Sequence, residues 1–486
     1  MNLQTPVSLE TRATNVRYQV LAWACALSMI TYIDRVCIKQ VEPEMSRELG
    51  LTPQQFAWVF SAFGLAYALF EVPSGWLGDK FGPRIVLARI VLWWSAFTAL
   101  TGLVFRFSWD LGWMVFDSLI LLVMIRFLFG AGEAGAYPNI ARAMRNWFPY
   151  SRRGIAQGML WMFGRWGGAV APFLITAASA TMFGWRGAFV IFGILGATWV
   201  AAFLIWFRNH PDDHPGVNEG ERAYIRGNVR ESAKPPPISW SSMLKSPTIW
   251  CLSLMYFCSN CGWVFFITWD VRYYRTVLGL EGTSLRLASG APLFFGGIAC
   301  LMGGFITDWM VRVLGRRWGR TAQGALAYFC GGVFFAAALF LSDSPWLAVA
   351  SLCLASFLKD FAMACSWSTC IDIGHRYSGT VAGFMNMVGN LGTFFSPPLV
   401  AWLANSSNRE SLPTQAATTI GMLGSPFDAG LVATTASVSQ TDWHLALVYS
   451  SVMFFIASLG WLFINPKRVI VYTPADHEKL KEQGAI

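Results

Sequence analysis

Apolar residues in this chain come in long unbroken blocks rather than in the alternation of a half-buried sheet. The blocks fall at about 17–39, 54–78, 84–106, 115–137, 155–180 and 184–207, then at 248–270, 286–311, 321–342, 346–371, 380–404 and 443–465. Each can cross a bilayer, which takes about 20 apolar residues in a helix. The pattern predicts an all-α integral membrane protein of twelve spans. Punctuation is poor at 103–125, which leaves room for a short interfacial turn. Residues 1–16 are polar and the first block is too long for a signal-peptide core, so no cleavable leader is expected.

Composition sharpens this picture. Of 486 residues, 55% are apolar and 13% charged, against about 25% charged in soluble proteins. The net charge of +9 does not call for a nucleic-acid partner, because Arg and Lys gather in alternate loops. They stand at Lys80, Arg84 and Arg89, at Arg142 to Arg153, at Arg208 to Lys245, at Arg312 to Arg320, and at Lys467 and Arg468. That is the positive-inside pattern and predicts cytoplasmic termini. The expected division is a first half at 1–207, a linker at 208–246 with "KPPP" inside it, a second half at 247–466 and a tail at 467–486. The polar segment 405–442 should lie outside and carries no readable role. Ten cysteines are spread mainly through the spans, and "CSNC" at 258–261 lacks further ligands, so no metal or other cofactor is expected. His210 and His214 sit in a polar loop and read as solvated.

A repeat shows in the glycines. "GIAQGMLWMFGRWGGAVAP" (154–172) and "GTVAGFMNMVGNLGTFFSP" (379–397) share Gly154/Gly379, Gly158/Gly383, Gly164/Gly389, Gly167/Gly392 and Pro172/Pro397 without a gap. "GWLGDKFGPR" (75–84) and "GFITDWMVR" (304–312) form a second pair, so two six-span halves are expected. Parallel repeats around a central site are a transporter design. The stretch 75–84 resembles the signature of the major facilitator superfamily, with Asp79, Arg84 and the second-half Asp308 at conformationally sensitive places. Asp79 can cap a helix and pair with a base across the interface.

Charges inside spans are costly and usually face a cavity. Asp34 and Arg35 lie in the first span, Arg126 and Glu133 in the fourth. Seven residues are about two turns, so Arg126 and Glu133 should share a face at two depths, while Asp34 and Arg35 diverge by about 100°. "YIDR", "RFLFGAGEAGAYPN", "GRWGGAVAPFL", "FRNHPDDHPGVNEGERAYI" and "GTVAGFMNMVGNLG" look like the anion:cation symporters. That resemblance implies proton-coupled movement of a small organic anion by a carrier of major facilitator fold, sufficient as a monomer, in a bacterial inner membrane. It places Arg35 and Arg126 at the substrate, and Glu133 and Asp34 at proton coupling. A buried Arg126–Glu133 ion pair is the structural alternative.

Tyr32, Tyr137, Asn386 and Asn390 are candidate pocket residues, and Arg165 is aligned with Asn390 by the repeat. The second half departs from the family pattern in "TWDVRYY", with Asp270 and Arg272, and in "FLKDFAM", with Lys359 and Asp360. These four read as an outer gate network or as extra substrate contacts. The rival readings are a cation or drug exporter, which would want an acidic cavity, and a sensor that does not transport. No nucleophile–base constellation points to an enzyme.

Overall fold

The computed structural model describes residues 13–112, 115–149, 152–180, 183–226, 243–374, 378–420 and 443–466, without the side chains of 79, 154, 378, 379 and 405–420. The described residues are mostly helical. The first half contains α1 (Val16–Leu49), α2 (Pro53–Phe81), α3 (Pro83–Thr101), α4 (Ser118–Glu133), α5 (Ala136–Trp147), α6 (Arg153–Ser179) and α7 (Gly184–Trp206). A short α8 (Glu219–Arg226) follows, and then α9 (Pro247–Thr268), α10 (Asp270–Thr276), α11 (Gly282–Ala338), α12 (Pro345–Gly374), α13 (Ser378–Ile420) and α14 (His444–Phe463). Among the described residues, nine helices are long and apolar enough to cross a membrane. Their outer faces carry large apolar side chains, among them Ile205 at 76% exposure and Phe463 at 74%, as a lipid-facing surface requires.

Several elements differ from the apolar blocks. The first helix runs ten residues past the expected end, to Leu49. The fourth block is broken into α4 and α5, and the seventh into α9 and α10. A two-stranded hairpin, β1 (Ser108–Asp110) and β2 (Val115–Asp117), occupies the poorly punctuated stretch. The helix of α13 continues to residue 420, and 421–442 lie outside the described residues, as does the tail.

At 57 residues, α11 would measure about 85 Å as one rod. It is instead a tight hairpin. Gly315 takes φ 76° and ψ 166°, a conformation that a Cβ strongly disfavours, and the chain reverses there. Gln323 consequently donates to the Gly303 carbonyl at 3.0 Å and pairs with Thr307. The α2–α3 turn is made in the same way, by Gly82 at φ 80° and ψ 155°.

The glycine repeat marks equivalent crossings. α6 packs on α1, and α13 on α9; across the halves, α6 packs on the first arm of α11, and α13 on α2. Gly164 and Gly167 meet Ser28, Tyr32 and the Met29 backbone, while Gly389 and Gly392 meet Tyr256, Asn260 and the Phe257 backbone. Across the halves, Gly64 lies against the Thr393–Phe394 backbone and Gly290 against Ala169. Small residues let backbones approach where lipid supplies no hydrophobic drive between helices. Cys261 also touches this Gly392 crossing.

The linker begins as part of the first half. Glu221 of α8 is fully buried and accepts from the backbone N–H groups of Val16 (3.2 Å) and Arg17 (3.0 Å) and from the Arg17 guanidinium (2.9 Å). It thereby satisfies orphan donors at the start of α1. His214, expected to be solvated, is only 6% exposed and sits edge-on to Trp147 and Trp206. His210 remains exposed. The "KPPP" segment is outside the described residues.

Candidate functional site

The site starts from the break in the fourth span. Pro138 has no N–H to return to the Ala134 carbonyl, and Gly135 adopts φ 92°, so α4 stops at Glu133. Asn139 then occupies the Gly135 carbonyl with its backbone N–H at 3.1 Å and its side-chain amide at 2.8 Å. Glu133 stands at the negative end of α4, where both its charge and the helix dipole favour a neighbouring cation. Arg35 of α1 supplies one, donating to Glu133 Oε1 through Nε at 3.1 Å and also through Nη2. Tyr32, Phe63 and Tyr67 surround the guanidinium, their ring centroids 5.0–5.1 Å from its carbon. Glu133 Oε2 has no hydrogen-bond partner among the described residues.

Arg126 is not the partner of Glu133. It is 3% exposed, lies over Phe129 at 4.5 Å and Phe63 at 5.4 Å, and its Nε has no hydrogen-bond partner among the described residues. The alternative of an Arg126–Glu133 ion pair is therefore replaced by Arg35–Glu133. Asp34 is buried on the other flank of α1, in electrostatic reach of Arg126 and Glu133, and neither of its oxygens has a hydrogen-bond partner among the described residues. The divergence of neighbours on a helix separates it from Arg35.

A second cluster joins the halves. Arg165 of α6 makes a bidentate pair with Asp360 of α12, at 2.7 and 2.8 Å. Lys359 reaches Asp360 Oδ1 at 3.2 Å. Arg165 also donates to the Tyr32 hydroxyl, and both cations lie over Trp263, at 4.5 and 4.4 Å.

Asp270 and Arg272 likewise find partners across the halves, on α1. Lys39 contacts both Asp270 oxygens, at 2.8 and 2.9 Å, and also the Phe266 carbonyl left free where α9 ends. Arg272 bonds Glu42 at 2.8 Å. Asn386 of α13 donates to Glu71 of α2 at 2.5 Å. Sequence reasoning missed Lys39, Glu42 and Glu71. The signal for the first two is a stripe: Arg35, Lys39 and Glu42 are spaced i, i+4, i+7 on one face.

Tyr137 stacks on Trp161 at 4.4 Å and shares a hydrogen bond with Ser28, and Trp161 touches Trp367 of the other half. Asn390 donates to the Asn386 carbonyl one turn back in its own helix. Arg84 binds the Leu204 carbonyl, and its backbone N–H binds Asn209, so these bonds tie α3 to the end of α7 inside the first half. Asp308 is exposed. The side chain of Asp79 lies outside the described residues, but Gly75 and Gly78 of the same motif lie against Pro138 and Asn139. Arg35, Trp161, Trp367, Asn386 and Asn390 all remain half-buried in the crease between the halves.

A helical membrane protein with a repeated glycine pattern and paired charges buried where its first and second parts meet has the build of a membrane carrier. The chain belongs to the Major Facilitator Superfamily, whose family model matches residues 24–397. It is a multi-pass transport protein and not an enzyme. It is 32% identical over 402 residues to the "Probable sulfoacetate transporter SauU" of Cupriavidus necator, covering 82% of this chain and 89% of that one. It is 28% identical over 424 residues to the "Probable galactarate/D-glucarate transporter GudP" of Bacillus subtilis, with 82% and 87% covered. The fold is shared with a bacterial homologue of the human lysosomal transporter Spinster in an inward-facing, occupied conformation, at a TM-score of 0.70 and 17% identity over 95% of this chain and 98% of that one.

Proposed function

We propose that the protein is a proton-coupled symporter of the bacterial inner membrane, both termini cytoplasmic, importing a small organic anion by alternating access. A sugar acid, whether hexonate, hexuronate or aldarate, is the first substrate class. The similarity to SauU favours a sulfonated short acid as a second. The carrying observation is the Arg35–Glu133 pair. A guanidinium keeps its charge and offers a fork to a carboxylate or sulfonate. When Glu133 takes a proton, Arg35 loses its anionic partner and an incoming anion replaces it. When the proton leaves, Glu133 reclaims Arg35 and the anion departs. Proton and anion thus travel together, with Asp34 as a second protonatable group beside Arg126.

Tyr32, Tyr137, Asn386 and Asn390 line the anion's path in this reading. Lys39–Asp270 and Glu42–Arg272 close the outer mouth, while Arg84, Asp79 and Asp308 stiffen the inner turns as the halves rock. One chain contains the whole path.

The test is uptake of labelled glucarate and sulfoacetate into proteoliposomes under an inward proton gradient. Wild-type protein should accumulate at least one of them. Glu133→Gln, held in a neutral form, should exchange label across the membrane but no longer concentrate it. Full gradient-driven accumulation by Glu133→Gln would place the proton site elsewhere.

A further inference from the structure

The ion pairs between the halves are not alike. Lys39 with Asp270, and Glu42 with Arg272, match one cation to one carboxylate. The cluster at Asp360 does not. Arg165 and Lys359 share a single carboxylate, meeting its Oδ1 at 2.8 and 3.2 Å, with side chains only 2% exposed in both. Among the described residues no second carboxylate pairs with either cation. One positive charge is left over where water is scarce, a costly state for a structural tie. Lys359 also has three ammonium protons against one oxygen partner, so it retains donors for another anion.

Tyr32 connects this surplus to the first site. Arg165 donates to its hydroxyl, and the guanidinium carbons of Arg165 and Arg35 lie 5.0 and 5.1 Å from its ring centroid. The sum of those two distances, about 10 Å, is the most that can separate the two guanidinium carbons. Short linear diacids and sulfonated acids hold both charges within such a span. The repeat underlines the division of labour. The offset that carries Met29 to Phe257 also carries Arg35 to Trp263, so the second half puts an aromatic platform where the first has a guanidinium, and Lys359 and Arg165 rest on it.

We infer that Lys359 and Arg165 form a second anion subsite and that the transported molecule is a small organic dianion, one acid group on Arg35 and the other on this pair. The inference rests on the reading of Arg35 as the first anion site. It makes Lys359 the residue that distinguishes diacids from monoacids, with Trp263 as the surface that holds the ammonium in place.

The experiment measures binding to the full-length purified protein for two matched pairs of acids: galactarate against galactonate, and sulfoacetate against glycolate. In at least one pair, wild-type protein should bind the dianion about tenfold or more tightly than the monoanion. Lys359→Gln should bring that ratio close to one, and Lys359→Arg should restore it. Equal affinity within both pairs overturns the inference, and so does a folded Lys359→Gln that keeps the ratio. The wild-type comparison decides the matter even if the glutamine variant does not fold. Binding of monoanions alone overturns this inference and leaves the Arg35 reading standing; no binding of any of the four acids overturns both.

Discussion

At the scale of single residues, the chemistry lies in how few partners the buried charges have. Asp360 serves two cations. Asp360→Asn would therefore strand both, and breaking a buried pair costs about 3–5 kcal/mol. Thermal unfolding in detergent should show a large drop for Asp360→Asn. The double variant Asp360→Leu with Arg165→Met removes the carboxylate together with one of its cations and should recover much of that loss, while forfeiting transport. A double variant no more stable than Asp360→Asn would show that the pair's geometry, not its charge balance, sets stability. Arg35 differs from Arg165 in remaining half-buried and in holding a carboxylate that stands at a helix end.

At the scale of elements, the interrupted spans decide where charges go. The closure between α1 and α10 is the clearest case. Lys39→Asp puts two carboxylates face to face, and adding Asp270→Lys restores opposite charges. Spin labels at Arg47→Cys and Thr276→Cys, both exposed at the same end of the bundle, should report a longer main distance in Lys39→Asp and a return to the wild-type distance in the swapped pair. If the distance is unchanged in Lys39→Asp, α1 and α10 are held together by packing alone.

The same elements show what the sequence makes legible. Twelve apolar blocks are readable because a bilayer imposes a minimum apolar length on every crossing. The breaks are harder, since the blocks stay apolar across them. Pro138 and Gly135 mark the fourth span, whereas "FFITWDVRYY" offers neither proline nor glycine. The pairing of Glu133 with Arg35 could not be read either, because helix geometry places residues on faces but does not choose which neighbouring helix each face meets. Lys39 and Glu42, at the margin of the first apolar block, go unread for a related reason: their burial is tolerable only because Asp270 and Arg272, some 230 residues later, are there to receive them. Two pairs of the repeat, Gly164/Gly389 and Gly167/Gly392, fall at equivalent crossings where close backbone approach leaves little choice but glycine, whereas Gly158 meets only Leu301 and Gly383 faces open space.

At the scale of the whole molecule, the linker's first part belongs to the first half through Glu221 and His214. Burial first, and then the Arg208 guanidinium, hold the His214 imidazole below its usual range, with Glu221 opposing. Unfolded, it returns to about 6.5, so the released segment binds more protons as the solution is acidified. Docking of 208–226 is thus fully supported above about pH 6.5 and weakens as the pH falls through the folded value. Hydrogen exchange at α8, corrected for intrinsic rates, should be faster at about pH 5.5 than at pH 7.5. His214→Phe should remove most of that difference; a difference that persists in full would assign the effect to another group.

The stripe on α1 ties these scales together. Arg35, Lys39 and Glu42 fall within an arc of about 60° on one helix, the first holding Glu133 and the other two holding α10. Such a helix works as a camshaft: its lobes are fixed in phase by the backbone, so one small turn of the shaft moves all three contacts at once. On the function proposed above, anion binding at Arg35 and opening of the Lys39–Asp270 and Glu42–Arg272 contacts would then be timed by a rigid part, with no chain of intervening side chains to relay the signal.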